Sequence, residues 1–501
     1  MSKYVLALDQ GTTSSRAILV DHAGNIASSG QQEYRQIFPD IGWVEHDPAD
    51  ILASQWASID QALRHVRSRG SDIAAIGIAN QRETTLLWDR ETGKPVYNAI
   101  VWQDRRTAEH CDRLRRSGLE EIIRAKTGLV IDPYFSGTKL AWLLDNVDGV
   151  RSRADQGKLA FGTVDSWIVW NLTGGRQHVT DRTNASRTLL YNIVDDCWDA
   201  DLLDILNIPE SVLPDVVWSN DRVGRLSNVL GLEGVEIAGI AGDQQAALFG
   251  QICVNEGECK NTYGTGCFLL RYAGDQFILS DQKLLTTIAC GVDRKLHYAI
   301  EGSVFIGGAV VQWLRDKMHF VEKASDIQGV AATVESSNGV VFVPAFAGLG
   351  APHWDPYASG AIIGLQRSTE IGHIARAALE SIAFQVTDVL RAMSADGNTS
   401  VNVLRVDGGA SANDLLMQFQ ADMLQIPVER PKNLETTALG AAYLAGLSVG
   451  FWDSLDDIKR TRTTERVFVP SMEPREAELK FSRWLDAVER SKNWNKNSES
   501  R

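Results

Sequence analysis

The stretch Leu8-Asp-Gln-Gly-Thr-Thr-Ser-Ser-Arg16 lies between two apolar runs, at residues 4–8 and 17–20, and therefore predicts a turn that joins two strands. A glycine followed by hydroxyl side chains lets backbone N–H groups and hydroxyls converge on phosphate oxygens. Arg16 can add a charged fork, and Asp9 can hold Mg²⁺, which favours carboxylates and water. Taken alone, the stretch is also compatible with a plain hairpin turn rich in Thr and Ser.

Two further glycine turns lie in the second half of the chain. Tyr263-Gly-Thr-Gly-Cys267 is a second turn that carries a hydroxyl, and Val406-Asp-Gly-Gly-Ala-Ser-Ala-Asn413 closes a strand and opens a helix. Gly408 and Gly409 leave room for a flat purine against the backbone, and a helix N-terminus favours an anion. Because each half opens with a Gly/Thr turn between strands, we expect two domains, at residues 1–250 and 251–501, that face one another.

Apolar, β-branched runs alternate with helical periodicity almost throughout the chain, which is typical of α/β architecture. Helical patterns cover residues 50–69, 107–116, 137–146, 371–395 and 413–424. Five predicted strands, at residues 4–8, 74–79, 159–164, 235–242 and 404–406, run into Asp9, Asn80, Asp165, Asp243 and Asp407. Because ligands of open α/β sheets bind outside the carboxyl ends of the strands, we expect these polar residues to line a cleft.

The bulk properties exclude several classes of protein. The net charge of −14 over 501 residues argues against nucleic acid and anionic membranes as partners. Six cysteines without a CxxC pair indicate reduced thiols in a cytoplasmic protein, and no apolar stretch reaches the length of a signal peptide core or a membrane helix. The longest uncharged stretch, residues 438–452, is rich in Gly and Ala and predicts a closely packed core helix. The P-loop, a well-placed G-x-G-x-x-G and the protein-kinase catalytic loop are absent.

The order of the three turns resembles that of the actin, hexokinase and heat-shock-70 superfamily. Within it, the chain resembles the FGGY carbohydrate kinases. Tyr134-Phe-Ser-Gly-Thr-Lys-Leu-Ala-Trp-Leu-Leu-Asp-Asn146 fits the first signature of that family, and Gly360-Ala-Ile-Ile-Gly-Leu365 with Ala377-Ala-Leu-Glu380 fits the second. The resemblance is strongest to the members that act on glycerol. It implies an α/β fold of two actin-like (ribonuclease H-like) domains with an ATP and substrate cleft between them.

The resemblance also implies an activity and a set of site residues. The activity is ATP-dependent phosphorylation of glycerol to sn-glycerol 3-phosphate in glycerol catabolism, with ATP and Mg²⁺. The implied glycerol site consists of Arg82, Glu83, Tyr134, Asp243 and Gln244, with Trp102 and Phe268 against the carbon backbone. The implied nucleotide contacts are Thr12, Thr13, Ser14, Arg16, Thr265, Gly308, Gln312, Gly409 and Asn413. We also expect a homo-oligomer (dimer or tetramer).

Asp243 is the candidate general base, because it follows a buried strand beside Gln244 and precedes a predicted helix at residues 246–250. We expect Asp9 and Asp243 to hold Mg²⁺. The alternative roles are a helix N-cap for Asp243 and a solvated charged loop for Arg82 and Glu83. The alternative activities are a kinase for a larger polyol or ketose and an ATPase of the actin or chaperone type without a small-molecule acceptor.

The resemblance does not extend to regulation. Some bacterial relatives bind fructose 1,6-bisphosphate through a Gly-rich loop that ends in Arg, but residues 227–236 contain no basic residue and include Glu233 and Glu236. Relatives activated by phosphorylation carry a His in this region, and residues 218–236 contain none. We therefore expect both forms of control to be absent. In enteric relatives a phosphocarrier docks at the segment that corresponds to residues 468–476, but the similarity there is loose and we do not expect it to be a partner of this chain.

Overall fold

Two large mixed sheets organise the chain in the computed structural model, which describes residues 3–66, 70–227, 231–396 and 400–496. The strands of the first sheet are β1 Tyr4–Gln10, β2 Ser14–Val20, β3 Ile26–Glu33, β4 Ile73–Asn80, β5 Gly224–Arg225 and β6 Glu236–Gly242. The strands of the second sheet are β7 Cys259–Tyr263, β8 Cys267–Gly274, β9 Leu285–Ala289, β10 His297–Val304, β11 Leu404–Asp407, β12 Val428–Pro431 and β13 Thr464–Phe468.

The six strands of the first sheet and six of the seven strands of the second share one arrangement, and β9 is an additional edge strand of the second. The first has the order β5-β6-β4-β1-β2-β3 and the second the order β9-β10-β8-β7-β11-β12-β13. In each sheet the first strand pairs antiparallel with the next strand of the chain and parallel with a later strand on its other side. The turn that joins the first two strands is the first Gly/Thr turn in one sheet and the second Gly/Thr turn in the other. The exact boundary near residue 250 stays a prediction.

Sixteen α-helices surround the sheets in the described part of the chain. They are α1 Pro48–His65, α2 Ala108–Arg116, α3 Glu120–Thr127, α4 Ser136–Asn146, α5 Val150–Asp155, α6 Val164–Leu172, α7 Arg182–Ala185, α8 Ala200–Leu206, α9 Asp243–Gly250, α10 Ala309–Asp316, α11 Ile327–Ala331, α12 Ile371–Ala395, α13 Asp414–Leu424, α14 Thr436–Val449, α15 Leu455–Thr461 and α16 Pro474–Ser491. Short strands pair as Glu45–His46 with Ala99–Ile100, Leu86–Asp89 with Leu159–Gly162, Val179–Asp181 with Asp215–Val217, Tyr191–Asn192 with Cys197–Trp198, and Val341–Val343 with Ala361–Ile363. No helix within these ranges has the length and apolar character that crossing a bilayer requires.

Both faces of the first sheet are covered, which explains the almost continuous apolar runs in β1 and β4. Leu6 and Leu8 belong to the core that includes residues of α1, whereas Val5 and Ala7 belong to the core that includes α14. Helix α14 follows the second sheet in sequence but packs against β1, β4 and β6 of the first sheet and against α9. It therefore ties the two halves of the chain together.

Glycines allow α14 to approach its neighbours at backbone distance. A Cβ on Gly440 would lie 1.9 Å from the carbonyl oxygen of Ala246 in α9, and a Cβ on Gly77 in β4 would lie 2.0 Å from the carbonyl oxygen of Ala441. Such contacts are incompatible with any side chain unless the backbones separate. The prediction of a closely packed helix from the Gly and Ala content of residues 438–452 is confirmed, with the helix at Thr436–Val449.

The structure also corrects two details of the sequence analysis. The strand at Leu159–Gly162 belongs to a small two-stranded ladder, and Val164 begins α6. Asp165 accordingly does not line the cleft: it is fully buried and accepts hydrogen bonds from the hydroxyls of Thr163 and Thr180. The helix predicted at residues 246–250 begins at Asp243, so its N-cap is Gly242. Of the sequence patterns above, residues 67–69 and 228–230 lie outside the described residues.

Gly440→Ala should destabilise the protein, because the added methyl group must separate α14 from α9. We expect the free energy of unfolding to fall by about 1–3 kcal/mol, the usual cost of overpacking a closely packed contact. The matched control is Gly329→Ala in α11, where a Cβ meets nothing within 4 Å. That change should leave stability unchanged or raise it by up to about 1 kcal/mol. Urea denaturation followed by circular dichroism measures both, and equal midpoints for the two variants would contradict the prediction.

Candidate active site between the two sheets

A cluster of buried charges lies where the carboxyl end of β4 meets the second sheet. Arg82, two residues beyond β4, donates from both terminal nitrogens to the carboxylate of Glu301 on β10, at 2.5 and 3.0 Å. Arg187, just after α7, donates to Glu83 at 2.6 Å and to Glu301 at 3.0 Å. The side chains of these four residues are at most 1% exposed. Glu301 therefore links the two halves through paired, desolvated charges.

The electrostatics of this cluster differ between its two carboxylates. The two guanidinium groups outweigh the effect of burial on Glu301 and lower its pKa to about 2. Burial dominates at Glu83 and raises its pKa, although Arg82 and Arg187 oppose the shift.

Glu83 also has a left-handed backbone, with φ of 61°. Its carbonyl oxygen is held by the hydroxyls of Ser136 and Thr85, each at 3.0 Å. Such a conformation persists only where surrounding contacts enforce it, and it is common at functional sites.

Asp243 extends the cluster toward the cleft. Its Oδ1 lies 3.3 Å from Nε of Arg82 and accepts the backbone N–H of Gln244 at 2.7 Å. The side chain is 27% exposed, unlike the other carboxylates of the cluster. Burial raises the pKa of Asp243, while the charges of Arg82 and Lys260 lower it. Asp243 is thus a carboxylate of increased basicity that remains open on one side. It is the first residue of α9 and not its N-cap.

Asp9, at the end of β1, lies close enough to Asp243 for the two charges to interact. Burial raises the pKa of Asp9 to about 6, with Arg16 lowering it and Asp243 raising it. No group of three or more metal-ligating side chains occurs in the part of the chain that the structure describes. Two carboxylates suit Mg²⁺ when phosphate oxygens and water complete its coordination, so the residues present fit that ion.

Three aromatic side chains, Trp102, Tyr134 and Phe268, form an aromatic wall beside the charged groups. The ring of Trp102 lies 5.6 Å from that of Tyr134 and 6.3 Å from that of Phe268. The Tyr134 hydroxyl accepts a hydrogen bond from Arg82 at 3.4 Å, and the indole N–H of Trp102 donates to the Thr12 hydroxyl at 2.9 Å. The site thus combines oriented polar groups with an apolar wall, which is the usual composition of a small-molecule site.

Lys260 on β7 is a fully buried cation next to Gln244. Its ammonium group donates to the side-chain oxygen of Gln244 at 2.6 Å and to the Thr262 hydroxyl at 2.8 Å. Burial lowers the pKa of Lys260, and Asp407 and Asp243 oppose that shift. Because an ammonium group can only donate, it fixes the amide of Gln244 with its oxygen toward β7. The neighbouring Gln245 instead accepts from Arg82 at 3.2 Å.

The residues predicted to contact a nucleotide come together in two groups. The first turn (residues 11–14) carries Thr12, Thr13 and Ser14, and Arg16 beyond it forms an ion pair with Glu435 at the start of α14. The second group surrounds the second turn (residues 264–266). A Cβ on Gly308 would lie 2.7 Å from the Gly264 carbonyl oxygen, and one on Gly408 would lie 2.6 Å from the Tyr263 carbonyl oxygen.

The remaining predicted nucleotide residues border this second group. A Cβ on Gly409 would meet nothing within 4 Å, which leaves open space above the backbone. Asn413 caps α13 by accepting the backbone N–H of Leu416 at 3.0 Å. Thr265 and Gln312 are exposed, the latter in the first turns of α10. Sequence reasoning missed Arg187, Gln245, Lys260 and Glu301, although a lysine in the short strand that leads into a Gly/Thr turn was a usable signal for Lys260.

Comparison with known proteins gives consistent results for both halves of the chain. The model of the FGGY family of carbohydrate kinases, N-terminal domain, matches residues 4–250, and that of the C-terminal domain matches residues 259–449. A protein named glycerol kinase from Trichlorobacter lovleyi is 58% identical, over 98% of this chain and 99% of that protein. These similarities confirm the predicted family and the mixed α/β fold of two domains.

Solved structures extend the comparison. The crystal structure of Plasmodium falciparum glycerol kinase with ADP has a TM-score of 0.91 and 38% identity, and each chain is covered to 98%. A ligand-bound xylulose kinase from Lactobacillus acidophilus has a TM-score of 0.86 and 26% identity, over 97% of this chain and 98% of that one. The fold is therefore common to kinases with different acceptors, and the identity of the acceptor must be argued from the site.

Glu301→Gln should destabilise the protein strongly, because two buried guanidinium groups lose the anion that they share. Breaking a buried ion pair from one side typically costs about 3–5 kcal/mol. The matched control is Glu478→Gln, which removes an exposed pair with Arg391 and should cost less than about 1 kcal/mol. Thermal and urea midpoints measure both changes. If the Glu301 variant shifts the midpoints no more than the Glu478 variant, the cluster does not anchor the two halves.

Proposed function

The chain belongs to the FGGY family of carbohydrate kinases. We therefore propose that it transfers the γ-phosphoryl group of ATP to glycerol, giving sn-glycerol 3-phosphate and ADP. One observation of the site supports glycerol above all: buried Arg82 and Glu83 lie next to Asp243 and to the aromatic wall. Three oriented polar groups suit the three hydroxyls of glycerol, and the wall suits its carbon backbone. High identity to a protein named glycerol kinase supports the same acceptor.

The burial of Arg82 and Glu83 bears directly on their role. Side chains that are 1% exposed cannot belong to a solvated charged loop, which was the alternative for an isolated Arg-Glu pair. Arg82 can donate to one glycerol hydroxyl while Glu301 holds its guanidinium in place. Glu83 can accept from another hydroxyl, and Gln244 can donate through the amide nitrogen that faces away from Lys260. The ring of Trp102 lies within 6.3 Å of those of Tyr134 and Phe268 along the wall, and bulky groups there suit a three-carbon acceptor better than a pentulose.

Asp243 is the general base of this proposal. Its partly exposed carboxylate takes the proton of a terminal glycerol hydroxyl as that oxygen attacks the γ-phosphorus of ATP. The new O–P bond forms as the bond from the γ-phosphorus to the bridging oxygen breaks, and ADP leaves. Arg82 keeps the carboxylate oriented through its Nε at 3.3 Å. Exclusion of water from the site protects the transfer from hydrolysis.

The nucleotide lies between the two turns in this proposal. Thr12, Thr13, Ser14 and Arg16 contact its phosphates from the first sheet, with Thr265 opposite. Gly308, Gln312, Gly409 and Asn413 contact the nucleotide from the second sheet, where the open space above Gly409 suits a flat base. Asp9 and Asp243 are the residues that would hold Mg²⁺, which neutralises phosphate charge when it is bound.

Two alternative activities are compatible with the fold. A kinase for a pentulose or for gluconate shares this fold, as the xylulose and gluconate kinases among the solved structures illustrate, but their identity to this chain is only 26% and 25%. An ATPase of the actin or chaperone type needs no polar cluster for an acceptor, and this chain has one at Arg82, Glu83 and Asp243. Both observations favour glycerol.

Location and assembly complete the proposal. We propose a cytoplasmic protein on the basis of six unpaired cysteines, five of them buried. A homo-oligomer (dimer or tetramer) stays a prediction.

A substrate panel tests the acceptor. With ADP release coupled to an optical assay, turnover should depend on added glycerol, and kcat/KM for glycerol should exceed that for ribulose, xylulose and gluconate. If any of the other three compounds gives a higher kcat/KM than glycerol, that compound is the substrate and the proposal is wrong. ATP turnover that is independent of every acceptor would favour the ATPase alternative.

Asp243→Asn should reduce kcat by about 10²–10⁴, because the amide keeps the shape of the side chain but cannot take a proton. Folding, the melting temperature and Mg·ATP affinity should remain close to those of the wild type. The matched control is Asp50→Asn, which changes an Asp in the first turn of α1 and should leave all of these quantities unchanged. Near-wild-type turnover of the Asp243 variant would remove this residue from the mechanism.

A further inference from the structure

Every carbonyl oxygen of the first turn accepts a hydrogen bond from groups of the protein that hold it in place. The Gly11 oxygen accepts from the Tyr34 hydroxyl at 2.6 Å and from the side-chain amide of Gln81 at 3.2 Å. The Thr12 oxygen accepts from the side-chain amide of Gln36 at 3.1 Å. The Thr13 oxygen accepts from the backbone N–H of Tyr34 at 3.3 Å, and the Ser14 oxygen from that of Gly11 at 3.0 Å.

The second turn shows the same feature with a different construction. Its three carbonyl oxygens also accept hydrogen bonds, but all of the donors are backbone N–H groups. The donors are Gly308 to Gly264 at 2.9 Å, Gly307 and Ala309 to Thr265 at 2.8 and 3.1 Å, and Gly264 to Gly266 at 2.9 Å. Backbone N–H groups thus hold all three carbonyl oxygens of the second turn, whereas in the first turn they hold only those of Thr13 and Ser14, and side chains hold those of Gly11 and Thr12.

In contrast to these carbonyl oxygens, several backbone N–H groups of the two turns make no hydrogen bond within the described part of the protein. Within the ranges that the structure describes, the N–H groups of Thr12, Thr13, Thr265 and Gly266 have no protein acceptor. A turn whose carbonyl oxygens are engaged elsewhere and whose N–H groups are free presents only donors to an anion. Rotation of one peptide plane would reverse this and bring a carbonyl oxygen against a phosphate oxygen. In the first turn, such a rotation at Gly11 or Thr12 would break the hydrogen bonds from Tyr34, Gln81 and Gln36.

We propose that Tyr34, Gln36 and Gln81 are positioning residues that keep the first turn in its phosphate-binding orientation, a role that rests on the proposed function. The Tyr34 phenol is protonated at neutral pH and can therefore donate, and burial raises its pKa further above the usual value. Gln81 also donates to the Tyr34 hydroxyl at 3.0 Å, so the two side chains act on Gly11 together. Gln81 directly precedes Arg82, and it therefore connects the turn to the acceptor site.

Two variants with conserved shape test the proposal. Tyr34→Phe removes the hydroxyl that holds the Gly11 oxygen but keeps the ring. Gln36→Glu keeps the oxygen that contacts His46 at 2.7 Å and replaces the amide donor to Thr12 by an anionic oxygen. Tyr34→Phe should raise the KM for ATP about 3- to 10-fold, as expected for one lost hydrogen bond, and Gln36→Glu should raise it further. The KM for glycerol should stay within about twofold, because the acceptor contacts are unchanged.

Tyr97→Phe is the matched control, since this half-buried tyrosine donates to Glu45 at 3.0 Å, and it should leave both KM values unchanged. Calorimetry with Mg·ATP and with adenosine separates the phosphate contribution from the rest of the nucleotide. Weaker Mg·ATP binding with unchanged adenosine binding and unchanged melting temperature supports the proposal. Unchanged Mg·ATP affinity in both variants overturns it. The proposal is also overturned if adenosine binding weakens, the KM for glycerol rises and the melting temperature falls together with Mg·ATP affinity. Such parallel changes indicate a merely structural role.

These measurements also separate failure of the proposal from failure of the proposed function. If the wild-type protein phosphorylates no glycerol, the function is wrong, but the calorimetric comparison of Mg·ATP with adenosine still decides whether Tyr34 and Gln36 orient the turn. If glycerol is phosphorylated and the two variants bind Mg·ATP as the wild type does, the function stands and the positioning role is wrong.

Discussion

The shared carboxylate of Glu301 is the interaction on which the site depends. It lies on β10 of the second sheet, but its two partners, Arg82 and Arg187, belong to the first half of the chain. Charges removed from water are tolerated only when each meets an opposite charge at good geometry. The two halves therefore have to meet in this register before Arg82 can orient Asp243, so stability and the arrangement of the acceptor site follow from the same contact.

Much of the fold could be predicted because its elements have local patterns. The helix expected at residues 371–395 is α12 with those bounds, since its apolar period extends over seven turns. The strands β1 and β4 were recognisable as apolar runs that end in polar residues. The assignment of Asp165 to the cleft was wrong because its strand resembles a sheet strand in sequence, and only the identity of the pairing partner shows that it belongs to a small ladder.

The site could be predicted in part for a related reason. Arg82 and Asp243 closely follow strands of the first sheet. A polar residue after an apolar run is predicted to lie at the carboxyl end of a strand, where ligands bind. Glu301 lies within a strand and is separated from Arg82 by 219 positions, so no local pattern connects them. Arg187 lies in a stretch of short elements without a clear period. The charge balance of a buried cluster depends on contacts between distant segments, and these become visible only in three dimensions.

Helix α14 then explains how the separate parts of the site keep a common geometry. Its N-cap residue Glu435 pairs with Arg16 beyond the first turn, and the hydroxyl of Thr436 donates to Asp407, which precedes Gly408, at 2.7 Å. One turn further, Gly440 contacts the backbone of α9, the helix that begins with Asp243. A single rigid helix therefore contacts segments proposed to bind phosphate, adenosine and the reacting hydroxyl. Because the contact of Gly440 with α9 is made at backbone distance, α14 cannot shift against α9 without moving the general base relative to both nucleotide turns.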